Sequence, residues 1–137
     1  RLFFHANWFQ TKGEVFDQEA KEMTEQEALW AGVRQEIARA QAQYQEEQED
    51  SYLSHVRAAE EQTLQALYER LQAGESGKEL LAWLRQQLPR LEEWMEQELE
   101  RTSFDWYDEH YHYKRLEGRR NACQTIEKLL TKPPRLD

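Results

Sequence analysis

Asp105, Asp108, Glu109 and His112 are the residues of this chain whose types and spacing come nearest to a reactive centre. Glu109 and His112 stand three positions apart, so on a helix both project from one face. A Glu-x-x-His pair of this kind is the unit from which helical bundles build di-metal carboxylate sites. Such a site needs a second copy and further carboxylates from two other helices. One copy is present here. His55, the nearest candidate for a second, has Tyr52 where the glutamate would stand. Solvated polar residues on a helix edge are therefore the expectation, with no metal, no cofactor and no catalytic residue.

Other chemistries are no better supplied. The chain has neither a Gly-rich phosphate loop nor a Gly-x-Ser-x-Gly elbow. The single cysteine, Cys123, excludes an intramolecular disulfide framework and fits a reducing, cytoplasmic setting. Nearby bases could lower its pKa, but it shares heptad phase with Leu116 and Leu130, which predicts a buried structural thiol. Arg115, Arg119 and Arg120 cluster beside Gly118, with tyrosines close by that could stack on bases. Pairing of these arginines with an acidic helix is the preferred reading. Net charge is −9, and the stretch from Glu14 to Gln62 holds 13 acids against 4 bases, whereas Lys114 to Arg135 holds 7 bases against 2 acids. Phosphate repulsion makes an acidic chain a poor general nucleic-acid binder, so nucleic acid is not expected as a partner. An acidic mimic of nucleic acid, carried by the run from Glu46 to Asp50 with Glu60 and Glu61, is the alternative.

The elements that must position these residues are helices. Five Gly and three Pro in 137 residues are too few for a β-sandwich or barrel, and Glu, Gln, Ala, Leu and Arg are strong helix formers. The expectation is an all-α fold: one domain over residues 1–137, an antiparallel bundle of three to four long helices with a coiled-coil-like hairpin. Residues 1–23 are read as an aromatic N-terminal arm, residues 24–131 as the bundle and residues 132–137 as a tail. Within the arm, Phe3, Phe4, Trp8 and Phe9 form either a short hairpin with Val15-Phe16 or a cover over the helices. No apolar run reaches membrane-spanning length. The chain opens on Arg1 rather than Met, so further residues are expected upstream.

Thr24-Glu25-Gln26-Glu27 is a capping-box pattern and predicts a helix start, followed by the seam Trp30, Val33, Ile37, Ala40 and Tyr44. The next stripe is Leu53, Val56, Thr63 or Leu64, Leu67 and Leu71, displaced by two residues from the first phase. Two residues turn the apolar face by about 200°, so the chain either breaks near Asp50-Ser51 or meets two different partners. Gly74 and the second capping box, Ser76-Gly77-Lys78-Glu79, predict a reversal that brings Leu71 near Leu81. A third stripe, Leu81, Leu84, Leu88, Leu91, Met95 and Leu99, runs through Pro89, where a kink is expected. Thr102 or Ser103 could cap a last helix that ends near Thr131, before Pro133-Pro134. Gly118 in mid-helix points to close approach of another helix.

Between Phe104 and Tyr113 the aromatics point nearly all the way round a helix, and one side has no evident home within the bundle. Trp106, Tyr111 and Tyr113, with Phe3, Phe4, Trp8 and Phe9, are therefore the candidate partner-binding residues. Tyr and Trp anchor interfaces because they bury a large area and keep a polar tip. The function expected is a non-enzymatic interaction module, such as an adaptor, inhibitor or assembly subunit, that binds another protein or itself. A metal-binding bundle protein is a second alternative. Far-ultraviolet circular dichroism should report helix above about 65%, against a base rate near one third, and a sheet or coil spectrum contradicts the bundle.

Overall fold

The computed structural model of the protein describes the backbone of residues 6–101 and 111–132, with side chains from Glu25 onward except Ser51 and Arg101. Four helices follow one another: α1 (Ala6–Glu46), α2 (Ser51–Gln72), α3 (Gly77–Arg101) and α4 (Tyr111–Thr131). No strand occurs among the described residues, and no helix among them is long and apolar enough to cross a membrane.

Of the two outcomes that the shift in stripe phase allows, the chain takes the break, with α1 ending at Glu46 and α2 starting at Ser51. Asp50 is extended and its carboxylate accepts from the backbone N–H groups of Tyr52 and Leu53, which satisfies two of the four orphan donors of the helix start. The α2–α3 turn closes in the same local manner. Gly74 takes φ of 108°, and the N–H groups of Glu75 and Gly74 return to the carbonyls of Arg70 and Leu71, a Schellman ending that a β-carbon would strain. Ser76 Oγ then accepts from Glu79 N and opens α3.

Two expectations about boundaries fail. Thr24 does not begin a helix, because α1 is already helical from Ala6 and passes through it. The residues between Gly13 and Thr24 include neither Gly nor Pro, so nothing there gives Thr24 the non-helical backbone that a cap needs. Over residues 6–16 the backbone is also helical rather than a hairpin, with Gly13 inside α1. Phe3 and Phe4 lie outside the described residues, as do the side chains of Trp8 and Phe9. α3 runs unbroken through Pro89, which is exposed. Its buried stripe is Leu80, Leu84, Leu91 and Met95, with Leu88 partly buried; Leu81 is only partly buried and Leu99 is 48% exposed. In α2 the choice between Thr63 and Leu64 resolves to Leu64, which is fully buried.

Contacts between side chains set the directions of the helices. Arg34 reaches Tyr68 and Gln41 reaches Glu61, so α1 and α2 are antiparallel. Arg85 pairs with Glu127 and Arg120 with Glu92, so α3 and α4 are antiparallel too. α2 and α4 run parallel: Tyr111 meets His55 near their starts, and Gly77, just past the end of α2, meets Leu130. The chain is thus an up-down-up-down bundle flattened along one diagonal. α2 and α4 approach most closely, α1 lies beside α2, and α3 lies beside α4. The expected hairpin of α2 and α3 is a hairpin in sequence only. Both contribute to one core, through Leu71 and Leu80, but their backbones are not a closely packed pair.

Gly118 is the reason α4 can take the central place. A β-carbon at this position would lie 2.2 Å from the Val56 carbonyl oxygen, 2.8 Å from Ala59 Cβ and 2.9 Å from Glu60 N. Two of those three atoms are backbone and cannot step aside. Ala59 and Ala122, both buried, continue the seam of small residues. Gly118→Ala should cost about 3 kcal/mol by forcing the two helices apart, and lower the melting temperature by about 10 °C. Gly32→Ala is the control, since its β-carbon would find only Leu129 methyls at 3.6 Å and beyond. That change should instead stabilise by about 1 kcal/mol. Calorimetry of both variants checks the pair.

Candidate functional site

Because α4 holds α2 on one flank and α3 on the other, the outer edges of α2 and α3 leave a groove between them with α4 as its floor. It has a volume of about 420 Å³ and is walled by Thr63, Ala66 and Arg70 of α2 and by Trp83, Gln87, Leu91 and Trp94 of α3. Arg119 and Cys123 form the floor. A shallower continuation runs past Trp94 toward Glu98, His112 and Arg115. Trp94 is 42% exposed, which is unusual for the largest side chain on so polar a surface. Trp83 is half-buried beneath the Arg70 guanidinium, which lies 4.2 Å from the ring centroid while Glu75 accepts from it at 2.9 Å. Arg70 is therefore fixed in place by a cation–π contact and an ion pair together. Arg119 is exposed and makes no ion pair among the described residues.

Cys123 confirms the expected buried thiol. It is free, buried, and pushed up to about 11 by burial, with Arg119 and Arg70 pulling the other way. Desolvation outweighs the two cations because the sulfur sits against Leu91 and the core, whereas their charges reach into water.

The expected aromatic patch is divided. Tyr111 is 39% exposed, meets His55 edge-on at 5.2 Å, and its hydroxyl accepts from Arg115 at 3.3 Å. Tyr113 stands two residues on, which turns it by about 200°. It is half-buried in the surroundings of Glu117 and Glu92, and its pKa is raised, first by desolvation and then by those carboxylates. Tyr52 donates to Glu117 at 2.9 Å in the same region. Tyr111 and Tyr113 therefore do not form one surface. Trp106 lies outside the described residues, as do Phe104, Asp105, Asp108 and Glu109. His112 is exposed beside Tyr111, and no group of three or more His, Cys, Asp or Glu among the described residues is arranged to hold a metal. Trp83 and Trp94, which the sequence reading leaves out, are the aromatics that share a groove. Trp94 stands three residues from Leu91 in a helix that the stripe already defines, so its position beside the buried face was available as a signal.

Among the described residues Arg115, Arg119 and Arg120 make no ion pair with α1, contrary to the expected pairing. Glu60 is 2% exposed and receives Arg39 at 3.5 Å and Arg57 at 3.3 Å; Arg39 also holds Glu36 at 2.7 Å and Arg57 holds Glu47 at 3.0 Å. The acids at the α1–α2 end are thus answered by arginines of the same two helices. Arg120 turns instead to Glu92 and Glu117, and Arg115 to Tyr111. Of the carboxylates that would carry an acidic mimic, Glu47 and Glu60 are paired with arginines.

Comparison with protein-family models, with characterised proteins and with solved structures gives no match to this chain. The groove must be interpreted from its own chemistry.

The thiol supplies a direct check on that chemistry. With a pKa raised from 9.0 to about 11, Cys123 is protonated in the folded protein when an unfolded thiol would already be ionised. Its contribution to stability is therefore complete below about pH 9 and is lost as pH rises through about 11. Alkylation by a small reagent should be slow at neutral pH and climb toward a midpoint near 11. A rate that saturates near pH 8 contradicts the burial, and Cys123→Ala should flatten the alkaline fall in stability.

Proposed function

We propose that the protein is a non-catalytic helical interaction module that binds a partner protein through the tryptophan-lined groove between α2 and α3. The observation that carries this reading is Trp94, exposed beside Leu91, Trp83 and the arginines Arg70 and Arg119. Tryptophan and arginine dominate the energetics of protein interfaces because each combines a large contact area with a polar group. A groove that opens over two tryptophans, on a chain with a mean hydropathy of −1.06, concentrates much of the surface's capacity for hydrophobic contact in one place. Tyr111 with Arg115 extends the same surface past the end of the groove. Among the described titratable groups the buried carboxylate Glu60 offers no rival site, since it is engaged by Arg39 and Arg57.

Trp94→Ala tests the reading. An exposed side chain contributes little to folding, so stability should change by no more than about 0.5 kcal/mol. Partner capture from the organism of origin should be lost, because interface tryptophans are worth about 2 kcal/mol or more. Capture that survives both Trp94→Ala and Trp83→Ala, in variants that melt normally, places the working surface elsewhere.

A further inference from the structure

The groove also specifies the chemistry of what it takes, on the reading above that it is the working surface. We infer that its occupant is an amphipathic helix of a partner protein that carries carboxylates beside an apolar stripe. Three observations lead there. The first is charge. Although the chain as a whole is at −9, the groove and its continuation carry Arg70, Arg115 and Arg119 against Glu98. Arg70 is answered by Glu75, whereas Arg119 stands exposed on the floor with no ion pair among the described residues. A carboxylate is the group that answers an arginine bidentately. The second is backbone. Both walls and the floor are helices, whose N–H and C=O groups are used internally, so they offer no edge to an extended peptide. A ligand chain must satisfy its own backbone, and a helix does. The third is shape. From Trp83 to Glu98 the groove follows α3 for roughly 22 Å at about 1.5 Å per residue, the length of four turns. Trp83, Gln87 and Trp94, at spacings of four and seven along α3 above the buried Leu91, form a ridge that can interdigitate with the ridges of another helix. The ligand's apolar residues would bear on Trp83 and Trp94, with its carboxylates over Arg119 and Arg115.

A displayed library of helical peptides about 15 residues long, selected against the full chain, tests this. The selected peptides should carry Asp or Glu flanking an apolar stripe, and bind about tenfold or more weakly to Arg119→Glu. Replacing the peptide's acid by Lys should restore binding to Arg119→Glu and abolish it to the unaltered protein. Bound peptide should also slow alkylation of Cys123 on the groove floor, a readout that does not depend on the affinity measurement. Peptides that need Trp94 but are neutral or basic, and are indifferent to Arg119→Glu, overturn the acidic chemistry while leaving the groove as the binding surface. No selected binder, or binders indifferent to both Trp94→Ala and Arg119→Glu, overturns both.

Discussion

At position 118 the absence of a side chain lets α4 rest on the backbone of α2. The Val56 carbonyl and the Glu60 amide occupy the space that a β-carbon would need. Much of the arrangement follows from that contact. With two parallel helices drawn together along a diagonal, a four-helix bundle cannot remain square. α1 and α3 become flanks, each supported by one member of the central pair. The helices that are neighbours in sequence, α2 and α3, end on opposite sides of α4 and share a core without packing backbone to backbone. Val33, Leu64, Leu80, Leu84 and Ile126 are fully buried in that common core, each contributing about 1.5–3 kcal/mol of apolar burial.

The same contact orders the charges. Glu60 belongs to the part of α2 that Gly118 touches, and its carboxylate is drawn into the packed region. A buried carboxylate is tolerated only when it is paired, and Arg39 from α1 and Arg57 from α2 meet it there. Those arginines in turn hold Glu36 and Glu47. Glu36, Glu47 and Glu60 are thereby answered within α1 and α2, and among the described residues Arg120 of α4 turns to Glu92 of α3 while Arg119 faces the groove. Charge totals by segment point to a different pairing, because a Coulomb interaction depends on separation and the totals carry no distances.

A flattened bundle leaves its mark on the surface as well. A square bundle would bury Leu91 and Cys123 beneath α2 and α3 in contact. Here those residues still lie buried, but at the base of an open groove whose rims are Trp83 and Trp94. Arg70 covers one tryptophan by stacking on it. The other is left facing solvent with Arg119 at its foot. The candidate site is in this sense a by-product of where the glycine stands.

What the sequence by itself determined is the local structure. Asp50 and Ser76 can cap, Gly74 can take positive φ, and the seams at Val33, Ile37 and Ala40 and at Leu64, Leu67 and Leu71 have helical spacing. These depend on atoms within a few residues of one another, and each was legible from residue type and order. Gly118 was legible too, as a place where a helix must come close, though not which helix. Thr24 misled because a capping box is permissive, and the helical residues before it decide whether it is used. Tertiary structure alone decided the order of the helices across the bundle, the partners of Glu60 and Arg120, and the meeting of Trp83 and Trp94 with Arg70 and Arg119. Those residues lie on three helices, and no periodicity within one helix records which face of another it will meet. The groove exists because two helices run parallel at van der Waals contact, a relation between residues some 60 apart in the chain.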